Sequence, residues 1–373
     1  MNTCKIAKLM RLVTIAMAGL AFAGAAARAS GQTPTQQPKT ENAKVEQRSV
    51  AGSLSQTVAD WTKSADRAQW LAYSVPAVSG DRQVCCGNNW SDGDRHCGPC
   101  RLEGSDHGNS INLRSDKVEL EGPRRIIVLL RAENHKIGKI RVVSEDCTLD
   151  AGGLQIIWLP QVNPAESVQV LQNLMDANEF EGHGDRLSRG ALTAIALTGD
   201  PAADQALANF TAPGKPEGMR KEAAFWAGEA RGAAGLALLK RMAKDDSSSE
   251  VRAHVTFALS VSRESTAIDE MIRMAHEDSS THVRGQALFW LAQKAGKKAS
   301  GTITGAIEND PDTEVKKKAV FALSQMPKDE GVPKLIEVAQ NNRNAEVRKQ
   351  AMFWLGQSND PRALDFFERV LSK

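Results

Sequence analysis

The phrase Val-Arg-x-x-Ala/Val-x-Phe returns along this chain at a fixed interval of 32 residues, opening at Met219, Val251, Val283, Val315 and Val347, with a weaker copy at Leu187. A fixed period of this length marks a solenoid, in which each unit is one supersecondary element that leans on the next. That single feature decides the architecture of more than half the chain. It also favours binding over catalysis, because a repeated surface has no built-in centre.

Each unit reads as a pair of antiparallel helices. In the second helix Val347, Ala351, Trp354 and Leu355 stand at i, i+4, i+7 and i+8, one apolar stripe on a 3.6-residue helix. The first helix keeps its own phase, with Leu207, Leu239, Met271, Ile303, Leu335 and Phe367 spaced 32 apart. Ser247 to Glu250 and Asp310 to Glu314 carry the capping residues expected at helix N-termini. The stretch from Pro361 to Leu371 matches a first helix with no second helix after it, and Asp365, Glu368 and Arg369 suit it to close the stack. The expected fold is mainly α: a right-handed α-solenoid of about six helix pairs over 163–373, preceded by a small β-rich, Cys-containing module over 49–162.

Residues 1–29 read as a cleavable export signal. Lys5, Lys8 and Arg11 precede an apolar run from Leu12 to Ala27, and Ala27-Arg28-Ala29 supplies the small residues of a cut after Ala29. Cleavage changes the charge from +2 to −2, because Lys5, Lys8, Arg11 and Arg28 leave together with no acidic residue. A near-neutral mature chain has no electrostatic footprint for nucleic acid or an anionic membrane. The expectation is a periplasmic or secreted protein, not inserted in a membrane, whose partner is another protein. Residues 30–48 are polar and Pro-containing, which suits a disordered tether.

The module after the tether holds strand signals at Ile126–Leu130, Lys139–Val143, Leu154–Leu159 and Val118–Leu120, and a candidate amphipathic helix between Ser55 and Ala72. It also holds Cys85, Cys86, Cys97, Cys100 and Cys147. Two disulfides with one spare thiol suit an oxidising compartment and a loop too poor in hydrophobes to fold by packing. A zinc site competes, with Cys97-Gly98-Pro99-Cys100 as a knuckle and Cys85, Cys86, His96 or His107 completing the tetrahedron. The same Cys-x-x-Cys is spelled like a redox centre, but Arg101 to Gly108 cannot continue the helix that would acidify its thiol.

With the period, the helix pairs and a recurring acidic–basic pair in view, the chain resembles the HEAT-repeat family, including the HEAT-like repeats of phycobilin lyases. The resemblance implies a charged ladder that ties successive pairs together. Here the acidic residue ending a first helix stands six before the basic residue of the motif: Asp246/Arg252, Asp278/Arg284 and Asp310/Lys316. Asn342 before Arg348 and Gly214 before Arg220 break the pattern, which predicts soft second and sixth units. Some HEAT-like enzymes bind iron through repeated His-Glu dipeptides, and this chain has none at the equivalent positions. The N-terminal part resembles a Cys-rich module of exported bacterial proteins, in Tyr73-Ser74-Val75-Pro76, Cys85-Cys86, Cys97-Gly98-Pro99-Cys100 and Leu102-Glu103.

Phe225, Phe257, Phe289, Phe321 and Phe353 recur at i+6 of the motif helix, off its main apolar stripe, and Trp226, Trp290 and Trp354 follow in every second unit with Ala258 and Ala322 between. The alternation of large and small suits packing, so the tryptophans read as core. The phenylalanines stand between two roles, inter-repeat packing and a partner-binding ridge. His254, His276 and His282 read as solvated or capping. The sequence therefore favours a non-catalytic protein-binding scaffold with no cofactor, zinc at the cysteines being the exception. The alternatives are a lyase- or chromophore-handling enzyme with Cys97 or Cys100 as its reactive thiol, and a metal- or redox-sensing module.

Overall fold

In the computed structural model the described residues are 36–80, 83–85, 100–103, 110–112, 124–176 and 186–372. The expected signal, Cys86, Cys97, His96, His107 and the strand at Val118–Leu120 lie outside them. From Pro34 onward the chain forms one compact unit.

The first half is built on a five-stranded sheet. Its strands are β2 (Lys44–Gln47), β3 (Gln69–Pro76), β7 (Arg125–Glu133), β8 (Lys136–Ser144) and β10 (Gln155–Leu159), in the order β2-β10-β3-β7-β8. Strand β10 runs parallel to both neighbours, whereas β3, β7 and β8 are antiparallel. The hairpin between β7 and β8 turns on Asn134 and His135, both at positive φ, which matches the twist of the strands. A smaller sheet pairs β1 (Thr40–Glu41), β9 (Leu149–Asp150) and β5 (Cys100–Arg101), and β4 (Gln83–Cys85) pairs with β6 (Ser110–Asn112).

Two expectations are corrected here. The helix placed between Ser55 and Ala72 ends early, as α1 (Leu54–Lys63), and Gln69–Pro76 is instead a central strand. Trp70 to Val75 is buried almost throughout, so this strand carries no alternation to reveal it. The tether is also shorter than composition suggests: β1 and β2 fall inside 30–48. Their ladder bonds come from β9 and β10, partners that local composition cannot show.

The sheet is apolar on both faces, and the two faces serve different cores. Trp70, Ala72, Ile127, Leu129, Ile156 and Trp158 point into a small core that also holds Cys100, Leu102 and Cys147. Leu71, Tyr73, Val75, Val128, Leu130 and Ile157 point the other way, into a core that continues through the helices as far as Phe366. The sheet thus closes one end of the helical stack. The Oγ of Ser167 donates to the buried Tyr73 hydroxyl at 2.9 Å, and the amide of Leu54 donates to Glu166 at 2.9 Å.

The helices follow as α2 (Pro164–Asp176), α3 (Arg186–Leu197), α4 (Pro201–Phe210), α5 (Glu217–Ala230), α6 (Gly232–Asp245), α7 (Ser249–Val261), α8 (Ala267–Glu277), α9 (Thr281–Ala295), α10 (Lys297–Asn309), α11 (Thr313–Ser324), α12 (Lys328–Asn341), α13 (Ala345–Gln357) and α14 (Pro361–Leu371). They make six pairs, α2/α3 to α12/α13, and α14 follows in the place of a further first helix. Leu207, Leu239, Met271, Ile303 and Leu335 are fully buried; in α14, Phe367 is only half-buried and Phe366 takes the core position. The motif helices α5, α7, α9, α11 and α13 pack extensively in succession, while the first helices α6, α8, α10 and α12 touch one another far less. The stack therefore tightens on the motif side.

Close stacking explains the small residues at i+9 of the motif: Gly228, Ser260, Ala292, Ser324 and Gly356. A Cβ on Gly228 would lie 2.1 Å from the Ala258 carbonyl oxygen, whereas one on Gly356 would meet nothing within 4 Å. Gly228→Ala is expected to cost about 1–3 kcal/mol by forcing α5 from α7. Gly356→Ala is expected to gain up to about 1 kcal/mol from helix propensity. Denaturant titration of the two variants checks the pair; equal effects would contradict this packing.

The charged ladder exists with a different pairing from the one the spacing suggests. Arg220, Arg252 and Arg284 each place two side-chain nitrogens on an aspartate of the next unit, Asp246, Asp278 and Asp310, at 2.8–3.1 Å. The partner six residues back is met through its backbone: Arg252 donates to the Asp246 carbonyl and Arg284 to the Asp278 carbonyl. One guanidinium thus bridges two units. Burial pushes the Asp278 carboxyl up, but hydrogen bonds from Arg252 and the Ser280 amide, with the charges of Arg252 and Arg273, hold it below its ordinary value.

The soft points move accordingly. The second unit keeps its rung, since Arg220 pairs forward with Asp246 and does not need an acid at Gly214. The missing rungs are Ser188/Gly214, between the first and second units, and Lys316/Asn342, between the fifth and sixth. Lys316 and Arg348 donate only to backbone carbonyls, of Glu308 and of Asn342 and Arg343. At the first gap Arg231 substitutes, donating to Asp204 and to the carbonyls of Ala196, Thr198 and Asp200. Asn342 keeps the turn of the aspartates, accepting from the Asn344 amide as Asp310 accepts from Asp312. Lys316→Arg with Asn342→Asp is therefore expected to stabilise by about 1 kcal/mol more than the two single changes together. A double-mutant cycle by thermal unfolding measures it, and strict additivity would show that no rung forms.

Candidate functional site

The motif helices carry a connected row of rings. Phe225 stacks on Phe257 at 5.9 Å between centroids and 12° between planes, and Phe289 stacks on Phe321 at 5.8 Å and 5°. Phe257 then meets Trp290 at 4.8 Å, and Phe321 meets Trp354 at 4.9 Å. Within a helix, each phenylalanine that precedes a tryptophan meets it edge-on: Phe225–Trp226, Phe289–Trp290 and Phe353–Trp354. These are the offset and edge geometries aromatic quadrupoles favour. Eight rings form one chain from Trp226 to Phe353. The alanines at 258 and 322 leave room for the tryptophans of the units that follow.

Trp226 is buried, whereas Trp290 and Trp354 are half-buried, so the row is only partly core. Phe225, Phe257, Phe289 and Phe321 are half-buried, each pressed on a neighbour and each showing an edge to solvent, while Phe353 is 54% exposed. The first four phenylalanines pack between units and line a surface at once, whereas Phe353 meets only Trp354 of its own helix.

Against this row lies a cleft of about 390 Å³ lined by Lys221, Glu250, Ala253, His254, Phe257, His282, Gln286 and Trp290. Three motif helices build it: α5 gives Lys221, α7 gives Glu250 to Phe257, and α9 gives His282 to Trp290. His282 Nε2 stands 3.6 Å from Glu250, and the His254 ring meets Phe257 edge-on at 5.5 Å. Burial, and then the Lys221 ammonium, hold His254 below the ordinary histidine value, so it is neutral at neutral pH. Its Nε2 is buried without a hydrogen-bond partner among the described residues.

Sequence reasoning set His254 and His282 aside as solvated or capping. The signal was present in the phase: His254 lies at i+3, one turn before Phe257, and His282 at i−1 of the next unit. Only the offset between neighbouring helices brings the two together with Glu250.

The cysteines divide. Cys147 is a free, buried thiol whose Sγ contacts the Val84 carbonyl at 3.4 Å. Burial, with the charge of Asp146, pushes it up to about 12, far from a reactive thiolate. Cys100 is fully buried in the small core on β5, and Cys85 lies on β4. Among the described residues no group of three or more His, Cys, Asp or Glu side chains is placed to hold a metal ion, and no helix is long and apolar enough to cross a membrane. The cluster proposed for zinc lies largely outside those residues.

Helix pairs of fixed phase, stacked through their second helices and tied by arginine–aspartate rungs, define the helical half as an α-solenoid. Residues 300–373, at the end of this stack, match the sequence family described as HEAT repeats. Solved structures with a similar course include the complex of CpcE and CpcF of phycocyanin lyase from Nostoc sp. PCC7120, at 17% identity and a TM-score of 0.30, over 56% of this chain and 81% of that one. Human deoxyhypusine hydroxylase aligns at 14% identity and 0.28, over 55% and 76%. The Escherichia coli protein YibA aligns at 21% identity and 0.34, over 55% and 79%. No curated protein matches the sequence.

Packing and surface roles of the rings separate by mutation. Phe257→Ala, which removes contacts to Phe225, His254 and Trp290, is expected to cost about 2 kcal/mol. Phe353→Ala is expected to stay within about 0.5 kcal/mol of the parent. Thermal unfolding of both variants decides it, and equal losses would place Phe353 in the core with the others.

Proposed function

We propose that this chain is an exported, non-catalytic scaffold that holds another protein on the exposed face of its motif helices. One observation carries the reading: a row of eight linked rings, half-buried along most of its length, flanks a cleft furnished with two histidines, a glutamate and a lysine. Protein-contacting surfaces are enriched in aromatic side chains of this kind, with polar groups at the edge. A solenoid supplies such a face without a dedicated active site.

Export rests on the signal-like residues 1–29, and the cysteines agree with it. Cys100, fully buried in the small core, suits one half of a disulfide of the kind that persists in an oxidising compartment, a pairing that would remove it from thiolate chemistry. The buried, protonated Cys147 offers no nucleophile in its place. These points argue for the scaffold against the reactive-thiol reading. Zinc held by Cys97 and Cys100, with Cys85, Cys86, His96 or His107 completing the set, is the competing proposal, and metal analysis of the mature protein tests it directly.

Site-specific photo-cross-linking in the exporting cell tests the scaffold. A benzophenone side chain at Gln286, in the cleft, is expected to trap one recurrent protein. The same group at Lys240, exposed on first helix α6, is expected to trap none. Capture at Lys240 alone, or at neither position, would overturn the proposal.

A further inference from the structure

Five joints connect the six helix pairs, and one of them lacks what the others have. Arg220, Arg252 and Arg284 cross the second, third and fourth joints with forked ion pairs to Asp246, Asp278 and Asp310. Across the first, Arg231 reaches back to Asp204 and to the carbonyls of Ala196, Thr198 and Asp200. At the fifth joint, between α10/α11 and α12/α13, Lys316 and Asn342 stand where a rung would be. Lys316 donates instead to the Glu308 carbonyl of its own unit. The first helices follow the same pattern: α10 and α12 meet least of any two in succession.

Both helices that flank this gap are loosely made. Gly301 and Gly305 lie inside α10, and a Cβ at either would meet nothing within 4 Å, so packing does not require them. Each still weakens the helix relative to alanine. Thr304 Oγ1 donates to the Ser300 carbonyl at 2.9 Å, a back-bond of the kind that bends helices. Inside α12, Pro333 removes one helical donor and crowds the turn before it. The motif side differs. There α11 still packs along α13, Phe321 meets Trp354 at 4.9 Å, and Asn344 Nδ2 donates to Thr313 Oγ1 at 3.0 Å. Beyond the joint, Arg362 of α14 donates to the Lys328 carbonyl at 3.1 Å, which ties α14 to α12.

We propose that the solenoid bends at this fifth joint: α12, α13 and α14 swing as one body about the α11/α13 contact, while the gap between α10 and α12 opens and closes. A packed stack yields where the ties across a contact are fewest, and the bodies on either side keep their own packing. The aromatic row crosses the pivot from Phe321 to Trp354. The swing therefore turns Met352, Phe353 and Trp354 against the rings before them. The exposed face changes its curvature at one end and holds its shape over the rest. This device stands apart from the scaffold reading, since it depends only on how the units are tied.

Lys244, His276, Glu308 and Gln340 hold one phase on successive first helices and are all exposed, which supplies matched label positions. Nitroxide side chains at Lys244 and Glu308 span two joints crossed by arginine forks. Those at His276 and Gln340 span two joints, of which one is the fifth. Pulsed electron spin resonance on the whole protein is expected to give a distance distribution about twice as broad for the second pair. Lys316→Arg with Asn342→Asp is expected to narrow it to the width of the first. The reverse exchange, Arg284→Lys with Asp310→Asn, moves the weak pair to the fourth joint and is expected to broaden the first distribution. It tests the proposal even if the other variant fails to fold. Equal widths in the parent protein, or no response to either exchange, would overturn the proposal.

Discussion

Every part of this structure depends on one requirement: no helix pair here can bury its own apolar stripe. The motif helix must lie on the next motif helix, and it does so closely enough that glycine is demanded where α5 meets the Ala258 carbonyl. From that contact follow the phase of the first helices, the row of rings and the position of the arginine forks. It also creates a problem at the ends, where a stripe has no neighbour. The β-sheet solves it on one side, since Leu71, Tyr73 and Val75 continue the helical core. On the other side α14 covers α13 only in part, and Phe353, Leu364 and Leu371 are left exposed.

The arginine forks show how few ionic groups a long stack needs. Each guanidinium is nearly enclosed and makes bonds in two directions, to a carboxylate of the next unit and to a backbone carbonyl in the turn before its own helix. Such enclosed pairs weigh more as registration devices than as net stabilisers, because desolvation offsets much of the attraction. They set the rotation of one unit against the next. Where Ser188 and Gly214 abolish a rung, Arg231 restores the link by gathering three backbone carbonyls, so registration persists although the local chemistry has changed.

Much of this was legible from the chain alone. The period, the two helix phases and the last helix are local patterns repeated often enough to read directly. What could not be read are relations between distant segments. Strand β3 hides because both of its faces are buried, so Trp70 to Val75 looks like a continuation of the helix before it. Strands β1 and β2 hide because their composition is polar and their partners lie about a hundred residues away. The acid of each rung is nearer in sequence to the wrong arginine, and only the stacking offset carries the fork to the next unit. The cleft was missed for the same reason: His254 and His282 are unremarkable on their own helices, and only the lateral meeting of α7 and α9 makes them neighbours.

The alternation of tryptophan with alanine at i+7 reaches beyond packing. Because Trp290 and Trp354 lie over units that carry Ala258 and Ala322, the chain of rings repeats every two helix pairs, not every one. The stack can therefore lengthen or shorten without disturbance only in double steps. Loss of a single unit between Trp226 and Trp290 would set two indoles against each other where one has room. Loss of two would leave every ring facing its accustomed kind. The aromatic row thus divides an apparently uniform series into couples and sets the smallest insertion or deletion that this surface can absorb.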